Sequence, residues 1–126
     1  MSTTAINVFL RLAYAKCRDD YTPKGYMLLG DAEWFESTGD AIFRFSVSTA
    51  DGSKQEPDYQ KLPIYPKHTG GLFELHGPGY STGTIDTTSG ATSFGDYEQY
   101  SKAIDSTARY MLGLVDQLIA KTGLSA

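Results

Sequence analysis

The residues best suited to chemistry are two histidines and a carboxylate in one short segment, His68-Thr-Gly-Gly-Leu-Phe-Glu74-Leu-His76. If residues 72–76 form a strand, Glu74 and His76 share a face, about 7 Å apart along it. His68 reaches the same place from the Gly70-Gly71 turn. Two imidazoles and a carboxylate are the ligand set of a catalytic zinc ion. A His–Glu pair can also move protons near neutral pH. The spacing matches no compact metal-binding motif, so neither a metal nor a cofactor is expected. Two ordinary histidines on a loop and a solvated strand explain the segment more simply.

Other reactive groups are weaker still. Cys17 needs an adjacent base to act as a nucleophile. It falls on the apolar side of the first amphipathic segment, where a free cysteine serves as a small buried hydrophobe. The run Gly77-Pro78-Gly79-Tyr80-Ser81-Thr82-Gly83 is rich in glycine but lacks Gly-Lys-Ser/Thr. Pro78 also removes an amide that a phosphate cradle would use. Asp31, Glu33, Glu36 and Asp40 lack the sixth-position Gly and distal Glu of a calcium loop. Tyrosine is more suggestive, with nine in 126 residues. Tyr59, Tyr65 and Tyr80 lie in expected loops or strand starts, where tyrosine supplies contact area at low entropic cost. Their plainer use is to pin a loop to the sheet with a polar-tipped ring. Tyr59, Tyr65, His68, Glu74, His76 and Tyr80 are therefore the candidate ligand- or partner-binding residues. No catalytic residue is assigned.

The elements that must position these residues read as α+β. Ile6, Phe9, Leu10, Ala13 and Cys17 fit one helix face over residues 3–18, although Val8, Leu10, Leu12 and Tyr14 fit strand alternation nearly as well. A Ser-Thr-Thr start favours the helix. Tyr26–Leu29 is a short apolar run ending at Gly30. Ala32–Glu36 and Ala41–Thr49 read as strands around Ser37-Thr38-Gly39-Asp40, and Phe43, Phe45 and Val47 alternate with Arg44, Ser46 and Ser48. Ala50-Asp51-Gly52-Ser53 is a turn. Pro57, Pro63 and Pro66 mark residues 54–71 as loop or sheet edge. Residues 72–76 and 80–87 read as a further hairpin, with 88–95 as a connector. From Tyr97 to Ile119, Tyr97, Tyr100, Ile104, Met111, Leu114, Val115, Leu118 and Ile119 form one helical stripe. Glu98–Lys102 and Asp105–Arg109 are favourable i,i+4 pairs, Gly123 suits the C′ position, and Gly113 weakens the middle. One domain is expected: an antiparallel sheet of four to six short strands, with an N-terminal helix and a long C-terminal helix on one face.

Composition narrows the partners. The net charge is −4. Residues 31–58 hold seven acids (Asp31, Glu33, Glu36, Asp40, Asp51, Glu56, Asp58) against Arg44 and Lys54. That opposes a nucleic acid partner, which needs clustered cations, and permits a basic one. One cysteine allows no intrachain disulfide and suits a reducing compartment. Arg11 interrupts the only N-terminal apolar run, so a soluble, cytoplasmic protein with no membrane partner is expected. The stripe from 97 to 119 is ~33 Å long, whereas short strands reach only ~17–20 Å. A homo-oligomer that covers the overhang follows. The functional expectation is a non-enzymatic binding protein, of the small inhibitor, immunity, chaperone or phage accessory kind, that engages a protein or small ligand through its loops. The alternative is a small enzyme or ligand sequesterer built on His68, Glu74 and His76.

Overall fold

The computed structural model describes residues 4–69, 72–78, 84–86 and 97–125; at 4–5, 66–69, 72–75, 84–86 and 97–99 it describes the backbone alone. The first helix, α1, spans Thr4–Lys16. Ile6, Phe9, Leu10, Ala13 and Cys17 are all fully buried, and that 3–4 spacing decides for helix over strand. A π-helical turn, Cys17–Tyr21, extends it. Thr22 Oγ1 donates to the Arg18 carbonyl at 2.8 Å, filling an acceptor left open at the helix end. Thr22 itself is extended, as its place before Pro23 demands.

Strands β1 (Tyr26–Phe35), β2 (Asp40–Thr49) and β3 (Gln55–Leu62) form an antiparallel sheet in that order. β1 runs unbroken through Gly30, where the sequence pattern places a stop. Gly30 pairs with Phe45 at φ +155, and a Cβ there would meet Arg44 O at 2.1 Å and Phe45 Cα at 2.7 Å. This glycine permits close backbone approach within a strand rather than ending one. The turns fall as expected: Gly39 has φ +71 and Gly52 φ +72. Asp51 organises the second turn by accepting from Thr49 Oγ1 (2.7 Å), Ser53 N (2.9 Å) and Ser53 Oγ (2.8 Å).

The hairpin bonds fix the ladder's alternation. Ala50 N–H bonds Gly25 O, and Thr49 N–H bonds Lys54 O. Even residues of β2 therefore bond β1, and odd ones bond β3. Even residues of β1 and odd residues of β3 direct their backbone groups outward at the two edges. Both edges are blunted. On β1, Trp34 N–H donates to Asn7 Oδ1 at 2.9 Å, and Tyr14 OH donates to Leu28 O at 3.4 Å, so α1 stands where a fourth strand would bond. On β3, Pro57 has no donor, and Tyr59 N–H donates to Asp58 Oδ1 at 2.8 Å. Blunted edges of this kind resist pairing with another chain.

The principal sheet therefore has three strands, in place of the four to six expected in one sheet. Pro63 ends it: Ile64 N–H turns back to Leu62 O at 2.8 Å, and Ile64 enters the core at 1% exposure. β4 (Tyr65–Thr69), β5 (Leu72–His76) and β6 (Thr84–Asp86) form a separate antiparallel ladder. The rest of the expected 80–87 strand and the 88–95 connector lie outside the described residues.

The long helix α2 spans Tyr97–Thr122. Met111, Leu114, Val115 and Leu118 are buried, as are Ala103, Thr107 and Ala108. They pack with α1 and the inner sheet face, where the Phe43 and Phe45 rings stack at 4.2 Å. The premise of the oligomer expectation changes here. β1 and β2 have ten residues each, ~33 Å, and α1 adds cover, with Phe9 against Tyr100 at 5.8 Å. From Tyr100 to Ile119 the stripe is buried or half-buried among the described residues. Gly123, at φ +68, occupies the C′ position, and Tyr26 OH donates to Leu124 O at 2.7 Å, holding the end of the chain to β1.

Candidate interaction face

The sheet has two faces, and the helices cover one. The register sets cross-strand rows on the other: Met27–Ser48–Gln55, Leu29–Ser46–Pro57, Asp31–Arg44–Tyr59 and Glu33–Ile42–Lys61. Met27 is 43% exposed, Leu29 54% and Tyr59 61%. Met27 and Leu29 also border a second hollow with Arg18 and Thr22. The central strand contributes short Ser46 and Ser48 between longer residues on β1 and β3. The result is a shallow depression of about 590 Å³, with Gly30 and Ser46 at its floor and Leu29, Pro57, Tyr59 and Arg44 around it. Gln55 Nε2 donates to Ser46 Oγ at 2.9 Å and steadies the floor. Ser48 Oγ is buried with no hydrogen-bond partner among the described residues.

Arg44 closes one end. Its Nε and Nη2 donate to the two oxygens of Asp31, each at 3.2 Å. Glu33 Oε2 lies 3.7 Å from the same guanidinium, which also stands 5.7 Å from the Phe35 ring centroid. A bidentate guanidinium–carboxylate pair fixes orientation as well as charge. Lys61 stands 3.6 Å from Asp40. The acids 31, 33 and 40 thus serve as surface ion pairs.

The sequence-derived candidates divide between the two ladders. Tyr59 belongs to this face, on β3, at the sheet edge that is one of the two readings of residues 54–71. Tyr65 opens β4, is 65% exposed and pairs in register with the half-buried His76. Glu74 pairs with Lys67, and His68 with Phe73. Strand alternation puts position 68 in the opposite set from 74 and 76. The side chains of His68 and Glu74 lie outside the described residues, as does Tyr80. Among the described residues no group of three or more His, Cys, Asp or Glu side chains could hold a metal ion.

Leu29, Met27 and Ser46 do not stand out in the sequence by type. Their signal is alternation: continued through Gly30, Met27 and Leu29 fall in phase with Asp31 and Glu33. Cys17 is fully buried. Burial, with the Asp116 charge adding to it, pushes its thiol up to about 12, so it holds no thiolate at neutral pH. On the helical side, Tyr21 OH donates to Asp105, whose other oxygen accepts from Arg109 Nε at 2.8 Å. The Tyr21 bond is the main cause holding the Asp105 carboxyl below its ordinary range. This cluster clips the π-helical turn to α2.

No helix among the described residues is long and apolar enough to cross a membrane. No family model, curated protein or solved structure matches the chain.

Proposed function

We propose that this chain is a non-enzymatic binding protein that engages a protein partner through the open face of β1–β2–β3. The observation that carries the reading is the Leu29–Ser46–Pro57 row beside exposed Tyr59: apolar walls around a floor of small residues. Exposed apolar residues that adjoin in space mark interaction sites more often than scattered ones do. Tyrosine and arginine are the residue types enriched where partners dock. The blunted strand edges favour the face over strand addition as the mode of contact.

The test places a photo-reactive p-benzoylphenylalanine at position 29, at 59 or at 12 in the cell of origin. Leu12 is also apolar and 43% exposed, but it lies on α1. The same discrete adduct from positions 29 and 59, and none from 12, is expected. Absence of adducts at both sheet positions, or an equal adduct at 12, would overturn the reading.

A further inference from the structure

We infer that the partner of this face is a second copy of the same chain, packed face to face about a two-fold axis that runs along β2. This deepens the proposed function and rests on it. The argument is one of charge order and shape across the face. Its outer strands differ: β1 brings Asp31 and Glu33, and β3 brings Lys61 with no acid on this side. The central strand holds these charges within the chain. Arg44 takes Asp31 in a bidentate pair and Glu33 at 3.7 Å, and Asp40 stands 3.6 Å from Lys61. The face therefore has no unanswered cluster that selects a partner of one sign. A uniformly charged segment laid across it meets its own sign on one outer strand. A second copy does not. Sheets that stack face to face keep their strands nearly aligned, and a two-fold axis along β2 then lays β1 of each copy over β3 of the other, row on row. Glu33 meets the partner's Lys61, and Lys61 the partner's Glu33. Their side chains are 45% and 71% exposed, so they reach across without displacing buried structure. Leu29 meets the partner's Pro57, and the Tyr59 ring lies beside the partner's Leu29 with its hydroxyl toward the partner's Asp31. Short Ser46 faces itself at the axis, so the two depressions join and are filled from both sides. Arg44 also faces itself, each guanidinium already neutralised by its own Asp31. Three strands of eight to ten residues offer about 900 Å² over both copies, from strand rise and spacing. That is below the standard size of a stable interface, so the dimer is a weak one.

The experiment follows the full chain from low micromolar to millimolar concentration by sedimentation velocity and amide NMR. A monomer–dimer equilibrium is expected, with concentration-dependent shifts at Leu29, Asp31, Ser46, Tyr59 and Lys61. Glu33→Lys and Lys61→Glu should each weaken the dimer roughly tenfold, because two exposed pairs become repulsions; retained peak dispersion shows that both variants fold. An equimolar mixture of the two variants should restore the dimer, since their charges match only across the contact. A mixture no tighter than either variant alone would overturn the inference, as would concentration-dependent shifts confined to the helices. A chain that stays monomeric at millimolar concentration, with photo-adducts from positions 29 and 59 whose mass is not that of two chains, would overturn the second copy and leave the binding face standing. Absence of both the dimer and the adducts would remove both.

Discussion

Asn7 Oδ1 accepts the backbone N–H of Trp34 at 2.9 Å, so a helix side chain completes a strand edge. The bond is buried, and Asn7 itself is 9% exposed. Replacing one partner of a buried pair strands the other, at a cost of about 1–3 kcal/mol. Asn7→Leu should lower the unfolding free energy in urea by that much at unchanged slope. An unaltered midpoint would contradict the edge-closing role.

The two informative glycines should respond in opposite directions. At Gly30, an added methyl meets the β2 backbone at 2.1 Å, and φ is already +155. Gly30→Ala should cost about 3 kcal/mol through overpacking and backbone strain. Gly113 lies inside α2, and a methyl added there would meet nothing within 4 Å. Gly113→Ala should therefore gain about 1 kcal/mol from helix propensity alone. Chemical denaturation of both variants checks this pair; destabilisation at position 113 would point to a neighbour packed on that helix.

Asp51 gives a signed pH response. Its backbone bond from Ser53, then the Thr49 and Ser53 hydroxyls, hold its carboxyl at about 2 against an ordinary 3.8. A depressed folded value means that the contribution is complete above the unfolded value and fades as pH falls from there toward the folded one. Asp51→Asn should therefore lose stability relative to the parent at neutral pH, and the difference should shrink between about pH 4 and 2. Thermal unfolding across that range measures it. A constant gap would contradict the role of the ionised carboxylate.

The helices and β2 are legible in the sequence because each buries one regular stripe: period 3.6 in α1 and α2, period 2 in Phe43–Phe45–Val47. β1 is legible only in its second half, because Gly30 looks like punctuation when its real cause is the nearness of Arg44 O, a contact with no local trace. β3 is only half legible. An edge strand bonds on one side, so Pro57 fits it, and its polar residues on both faces erase the alternation. At the candidate face, Tyr59 stands out by type, yet Leu29 and Ser46 come from other strands and meet it only through the register. The full length of β1 is hidden while the strand looks split, and a ten-residue β1 beside β2 runs further along α2 than short strands would.

The central claim is that the open sheet face presents the preferred hollow for an apolar side chain. Titration of the labelled chain with phenol, followed by amide and methyl NMR, tests it most directly. Shifts should concentrate at Leu29, Gly30, Ser46 and Tyr59, and a Leu29→Ser/Tyr59→Ser variant that keeps its peak dispersion should lose them. Shifts concentrated instead at the hollow between Gly25, Lys54 and Ser125, or at the one between Arg18 and Tyr26, would contradict the account.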